Sequence, residues 1–193
     1  MTRIFQISEK VGTRRIRVFS FYPPDTSSNV RYNEYVTEAT ERLASLTDIA
    51  RREGFDLLLE NEKGIVGDIP ERCHAILSAI DSPNLRFLWD PANFVQVGVA
   101  QTTEYGWPLL GPYVAYVHVK DALLADGSVT PAGEGDGQVR ELLVHLKESG
   151  YQGFLSLEPH LTGGPDSMVC AATALRNLLI KSGCNETGVS GRP

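Results

Sequence analysis

The sequence predicts an α/β fold with a parallel sheet, and two observations lead to that prediction. Short runs rich in Val, Leu, Phe and Tyr recur along the chain with little polar interruption, as expected for parallel strands covered on both faces. Between these runs lie longer segments whose apolar residues follow helical spacing. Strands that alternate with helices indicate βαβ units with right-handed crossovers.

The apolar runs define five strands. Each run is short, rich in β-branched or aromatic residues, and separated from the next by a helix-like segment or by turn residues. The predicted strands are Arg15–Ser20, Phe55–Glu60, Leu85–Asp90, Tyr113–Val119 and Gly153–Glu158.

Four helices are predicted from their apolar stripes and from the residues at their ends. The first covers Glu34–Glu53 and ends at Gly54, a residue that suits a helix C-terminus. Asp68 and Glu71 have the spacing of a capping box at the start of the second. The third carries the stripe Val139, Leu142, Leu143 and Leu146, and the fourth covers Asp166–Ile180.

Length, charge and cysteine content narrow the class of protein. The 193 residues suit a single domain, predicted over residues 1–181, with residues 182–193 as a flexible C-terminal tail. The net charge of −6 argues against nucleic-acid binding, and no apolar run reaches the roughly 20 residues of a membrane-spanning helix. Cys73, Cys170 and Cys184 lack zinc-knuckle spacing, so we expect reduced thiols and a cytoplasmic location.

Ligand-type side chains follow four of the predicted strands. Glu60, Asp90 and Glu158 end their strands, and His118 lies near the end of another. In α/β barrels the carboxyl ends of the strands carry the active site, so these side chains are expected to meet. Three carboxylates and one imidazole suit Mn²⁺, Mg²⁺, Co²⁺ or Zn²⁺.

Each of these residues also has an ordinary structural interpretation. A single acid after a strand is commonly a helix cap or a loop charge. Asp90 could form a turn before Pro91, His118 could be a hydrogen-bonded core histidine, and Asp121 could cap a helix. The recurrence over four strands favours the metal site.

Five longer motifs resemble, in order and spacing, the sugar phosphate isomerase/epimerase group of the xylose isomerase-like TIM barrels. The motifs are LLLENEKGIVGD, LWDPANFVQVG, YVHVKDA, PAGEGDGQV and GYQGFLSLEPHL, and the resemblance covers roughly residues 10–180. It implies a fold of the (β/α)8 TIM-barrel type, here about five β/α units corresponding to family strands 4–8. It also implies that Glu60, Asp90, His118 and Glu158 bind one divalent metal ion.

The resemblance further implies a sugar or sugar phosphate isomerase or epimerase. In such an enzyme Glu60 and Glu158 would act as acid and base on opposite faces of a carbon next to a carbonyl, with Asp90 and His118 as pure ligands. The remaining candidates would contact substrate: Lys120, Asn93, Glu134, His160 and Glu62. Lys120 could equally be a surface lysine, His160 a loop cap, and the glycines around Glu134 simple turn residues.

The first three strands of the family barrel have no counterpart in this sequence. Five strands would leave two sheet edges unpaired, which a homo-oligomer could cover. One alternative is therefore an inactive half-barrel that serves as a binding or assembly module. An endonuclease IV-like nuclease is a further alternative, but it needs a histidine-rich zinc cluster, and the chain has only four histidines.

Overall fold

The computed structural model describes residues 2–24, 31–162 and 164–184. Helices and strands alternate through these ranges. The elements, in chain order, are α1 (Thr2–Val11), β1 (Arg15–Val18), a 3-10 turn (Tyr32–Tyr35), α2 (Val36–Arg52), β2 (Asp56–Glu60), α3 (Pro70–Ile80), β3 (Leu85–Trp89), α4 (Pro91–Gln96), α5 (Thr102–Leu110), a second 3-10 turn (Gly111–Tyr113), β4 (Val114–Val119), β5 (Asp121–Ala122), β6 (Val129–Thr130), α6 (Val139–Glu148), β7 (Leu155–Leu157) and α7 (Pro165–Lys181).

The main sheet contains the five predicted strands in the order β1-β2-β3-β4-β7, and all of its neighbouring pairs are parallel. The sheet curls into a half-barrel with its helices, which confirms the predicted fold class. Strands β5 and β6 form a separate antiparallel pair, in which Asp121 lies opposite Thr130. Because the strands of the main sheet are parallel, all of their carboxyl ends lie at one edge of the sheet.

The core lies between the convex face of the sheet and the helices. Leu57, Leu59, Phe87 and Trp89 alternate along β2 and β3, and each is fully buried. Since neighbouring strand residues point to opposite faces, Glu60 and Leu88 face the concave side instead. The same alternation that builds the core therefore directs the residue at the end of β2 into the mouth of the half-barrel.

The observed elements differ from the predicted ones mainly at their ends. Helix α2 starts at Val36, two residues later than predicted, because a 3-10 turn precedes it. Helix α7 extends the predicted helix by one residue at each end. The short helices α4 and α5 were not predicted, since six and nine residues show too little periodicity to stand out in the sequence.

The predicted capping box at the start of α3 is wrong. Ile69 occupies the N-cap position in an extended conformation, and no side chain caps the helix. The carboxylate of Asp68 instead pairs with Arg72, whose Nε donates to Asp68 Oδ1 at 2.9 Å and to the carbonyl oxygen of Val66 at 3.0 Å. Burial raises the pKa of Asp68, and Arg72 offsets this only in part.

The described part of the predicted tail packs against α7. The backbone N–H of Cys184 donates to the carbonyl oxygen of Leu179 at 2.9 Å. Residues 185–193 of that predicted tail lie outside the described residues. Within the described ranges, no helix has the length and apolar character needed to cross a membrane.

Candidate metal centre

Four ligand-type side chains meet at the carboxyl ends of the strands. Glu60 ends β2, Asp90 follows β3, His118 lies in β4 and Glu158 follows β7. Each offers one ligand atom, and these atoms all lie within 4.8 Å of one another. The structure therefore brings together the four residues that the sequence singled out as metal ligands.

The imidazole of His118 lies between two carboxylates. Its Nδ1 atom is 2.8 Å from Oε1 of Glu60 and 3.3 Å from Oε2 of Glu158. Burial alone would lower the pKa of His118, but the hydrogen bond and the charge of Glu60, together with the charges of Glu158 and Asp90, raise it. The pKa of Glu158 is lowered because the cationic neighbours Lys120 and His118 outweigh its burial.

Asp90 is fully buried, and its two oxygens have different surroundings. Oδ1 accepts the backbone N–H of Asn93 at 3.0 Å, so Asp90 caps α4 as well as facing the cluster. Oδ2 lies 2.8 Å from Nζ of Lys120 but accepts no well-directed hydrogen bond from any described residue. Burial raises the pKa of Asp90 to about 7, although Lys120 opposes the shift.

Lys120 belongs to the site and is not a surface lysine. Only 5% of the residue is exposed, and its Nζ lies 3.3 Å from Oε2 of Glu158 as well as beside Asp90. Burial would lower the pKa of Lys120, but these two carboxylates raise it, so the ammonium stays charged. Its position beside Asp90 and Glu158 agrees with strand alternation, since Lys120 lies two residues after His118.

Two residues of the site were missed by the sequence analysis. Nη1 of Arg17 lies 3.0 Å from Oε2 of Glu60 and 3.6 Å from Oε1 of Glu158, so its guanidinium links both carboxylates. The side chain amide of Asn61 accepts the backbone N–H of Asp90 at 2.9 Å and donates to its carbonyl oxygen at 2.8 Å. The alternation of β1 could have indicated Arg17, but no sequence signal distinguishes Asn61 from an ordinary loop asparagine.

The other substrate candidates differ in burial and in the contacts that they make. Asn93 is buried and donates to the carbonyl oxygen of Asn61 at 2.9 Å and to Oε2 of Glu62 at 3.5 Å. His160 is largely exposed, with Nε2 4.0 Å from Oε1 of Glu158. Glu134 is exposed on the glycine-rich loop, Pro131–Gly137, which precedes α6.

The cluster has the chemistry of a divalent cation site. Three carboxylates face two permanent cations, Arg17 and Lys120, and a histidine, so the carboxylates retain lone pairs that these partners do not use fully. The buried Oδ2 of Asp90 is one such group, because it lies 2.8 Å from Nζ of Lys120 but accepts no well-directed hydrogen bond from any described residue. Carboxylate oxygens with one imidazole nitrogen match the ligand preferences of Mn²⁺, Co²⁺, Zn²⁺ and Mg²⁺.

Comparison with known proteins identifies relatives that are longer than this chain. The family described as "Xylose isomerase-like TIM barrel" matches residues 1–177. An uncharacterised protein of Methanocaldococcus jannaschii is 31% identical over 144 residues, which cover 71% of this chain and 47% of that protein. Fructoselysine 3-epimerase of Escherichia coli O157:H7 is 30% identical over 123 residues, covering 61% of this chain and 43% of that enzyme.

A solved structure also resembles the fold of this chain. The crystal structure of a D-tagatose 3-epimerase-like protein superposes with a TM-score of 0.74 at 25% sequence identity. The match covers 93% of this chain and 67% of that one. The matched segments therefore span less than half the length of these curated relatives, while nearly all of the chain has a counterpart in the solved barrel.

Proposed function

The chain belongs to the xylose isomerase-like TIM barrel family, and from this premise we propose that it carries the site of a divalent-metal-dependent sugar or sugar phosphate isomerase or epimerase. The single observation that carries the proposal is the convergence of Glu60, Asp90, His118 and Glu158, whose ligand atoms lie within 4.8 Å of one another. The epimerase named among its relatives supports the reaction class.

The proposed reaction moves a proton on a carbon next to a carbonyl. A bound divalent cation would supply Lewis acidity that stabilises negative charge on the substrate oxygens. Glu60 ends β2 and Glu158 follows β7, and two strands separate β2 from β7 in the sheet, so the two carboxylates approach the site from different sides. One would take the proton and the other would return it, as general base and general acid.

The surrounding residues would keep the two carboxylates in place. Arg17 contacts both of them from one side, while Lys120 contacts Glu158 and Asp90 from the other. Glu62 and Asn93 would offer polar contacts to the sugar hydroxyls, as would His160 and Glu134 at the exposed rim. Asn93 carries an amide, so it would orient a hydroxyl group but could not act as a base.

Solvent exchange tests the proposal directly. The purified protein is incubated in D₂O with Mn²⁺ and each of a panel of ketoses and ketose phosphates, and deuterium incorporation at carbon is followed by NMR. We expect exchange with the native protein and none with Glu158→Gln, which keeps the shape of the side chain but removes the base. Glu148→Gln, an exposed residue at the end of α6, serves as the matched control.

Metal analysis separates the proposal from the alternative of a binding or assembly module. A well-folded sample that retains no divalent metal above background, and that shows no exchange with any ketose of the panel, would favour the module. Exchange that persists in Glu158→Gln would remove Glu158 from the proposed acid–base pair.

A further inference from the structure

The residue that follows Lys120 anchors the glycine-rich loop. Asp121 is fully buried at the start of β5, and strand alternation turns its side chain away from that of Lys120. Its two carboxylate oxygens accept four backbone hydrogen bonds, at 2.8 to 3.1 Å, from the N–H groups of Ala122, Gly133, Gly135 and Gly137. A buried carboxylate with this many donors fixes the path of the loop.

The glycines of the loop leave room for the carboxylate of Asp121. A Cβ atom at Gly135 would lie 2.5 Å from Oδ1 of Asp121 and 2.5 Å from the carbonyl oxygen of Ala122, and one at Gly137 would lie 2.6 Å from Oδ1. No side chain fits at either position without moving the loop. The G-x-G-x-G spacing therefore reflects close packing around Asp121.

The loop also contacts the segment that carries Asp90. A Cβ atom at Gly137 would lie 3.1 Å from Cβ of Pro91, the residue that follows Asp90 and begins α4. On the same side, Ala122 is buried in a cluster with Ala92 and Val95 of α4. Asp121 and the loop thus join the end of β4 to the start of α4.

From this geometry we propose that Asp121 is a positioning residue that fixes the Asp90–Lys120 pair through the glycine-rich loop. Asp90 immediately precedes α4 and Lys120 immediately follows β4, and the charged atoms of the pair lie 2.8 Å apart. Loosening the loop lets the end of β4 move relative to α4, which separates Nζ of Lys120 from Oδ2 of Asp90. The inference deepens the proposed function. Its predicted effect on metal binding rests on that function, whereas the positioning of the Asp90–Lys120 pair does not.

The first test uses the metal-free protein and the accessibility of Lys120. The side chain of Lys120 is 4% exposed, so it is acetylated slowly by an N-hydroxysuccinimide ester in the native protein. Asp121→Asn keeps the size of the side chain but presents an amide nitrogen to backbone N–H donors. We expect severalfold faster acetylation of Lys120 in this variant, measured by peptide mass spectrometry.

Two controls separate positioning from loss of stability. Asp126→Asn is the same substitution in the same β5–β6 hairpin, where Asp126 is exposed and accepts the backbone N–H of Ser128 at 2.9 Å, and it should leave Lys120 protected. The thiol of Cys73 is fully buried in the core and reports global opening. If Asp121→Asn speeds both the acetylation of Lys120 and the modification of the Cys73 thiol, Asp121 supports the whole fold and not the pair specifically. Unchanged acetylation of Lys120 would likewise contradict the positioning role.

Should Asp121→Asn not fold, Gly135→Ala carries the same test, because its added methyl group would lie 2.5 Å from Oδ1 of Asp121 and so forces the loop away from this carboxylate. The second readout is Co²⁺ binding followed by visible absorption. We expect Asp121→Asn to weaken Co²⁺ binding by about 10- to 100-fold, as for other residues that support metal ligands, with a changed spectrum. If the native protein binds no Co²⁺, the proposed function fails while the labelling result still decides the role of Asp121.

Discussion

Nζ of Lys120 lies 2.8 Å from Oδ2 of Asp90, and both side chains are almost completely removed from solvent. A buried pair of this kind adds little to stability by itself, but removal of one partner leaves a buried charge without compensation. The pair therefore links the chemistry of the site to the stability of the fold, and several experiments follow from it.

Replacement of Lys120 by Met should destabilise the protein strongly. The uncompensated carboxylate of Asp90 is expected to lower the free energy of unfolding by about 3 to 5 kcal/mol at pH 8. The loss should be smaller at pH 6, because Lys120 lowers the pKa of Asp90, and without Lys120 the carboxyl group is protonated and uncharged at that pH. Urea unfolding at both pH values measures this, with the exposed Lys63→Met as control. An equal loss at both pH values would contradict the role of Asp90.

Divalent metal affinity should rise as the pH increases through about 7. Burial raises the pKa of Asp90 to about 7 and the carboxylates around His118 raise its pKa, so the metal-free site holds protons at lower pH that a cation must displace. For the proton of Asp90 alone, Mn²⁺ should bind about tenfold more weakly at pH 6 than at pH 8. Isothermal titration at three pH values tests this. Affinity that is constant over this range would show that no proton is released.

Asn61→Ala should lower both stability and metal affinity. The substitution removes two buried hydrogen bonds to the backbone of Asp90, at a cost of about 1 to 3 kcal/mol for each unpaired group. Asn84 offers a matched control, because it joins β2 and β3 at their opposite ends through Phe55 and Asp56. Asn84→Ala should lower stability without weakening Mn²⁺ binding. Equal loss of metal affinity in both variants would mean that the effect is not local to Asp90.

Two of the three cysteines, Cys73 and Cys170, should differ sharply in reactivity. Burial raises the pKa of the Cys73 thiol and shields it from reagent, whereas Cys170 is exposed on α7. Iodoacetamide at pH 8 should therefore modify Cys170 in the native protein and Cys73 only after denaturation. Peptide mass spectrometry after timed labelling checks this order. Modification of Cys73 at a rate similar to that of Cys170 would contradict the packing of α3 against the sheet.

The sequence predicted the strands and the meeting of Glu60, Asp90, His118 and Glu158, because strand alternation and parallel topology determine where a strand-end residue points. It did not predict the role of Asn61, whose partners are backbone atoms of a neighbouring strand. Backbone partners leave no pattern in the sequence.

Two other predictions from the sequence, those for Asp68 and Asp121, differ from the structure because other partners bind their carboxylates. The capping box at Asp68 was wrong because Arg72, one turn further along α3, takes up its carboxylate. Asp121 was interpreted as a possible helix cap, whereas it binds a loop that begins ten residues later. The contacts of Asp121 are tertiary, whereas the Asp68–Arg72 pair is a local i,i+4 contact that competes with the capping motif.

The order in which the four ligand-type residues occur along the chain has a consequence for folding. Glu60 and Glu158 stand at the ends of β2 and β7, and every strand between them must pair before their carboxylates meet. No fragment that lacks one of these strands can assemble the cluster. Metal binding would thus be a late step in refolding that follows the pairing of these strands. A single proteolytic cut between β2 and β7 that releases either end would abolish metal binding.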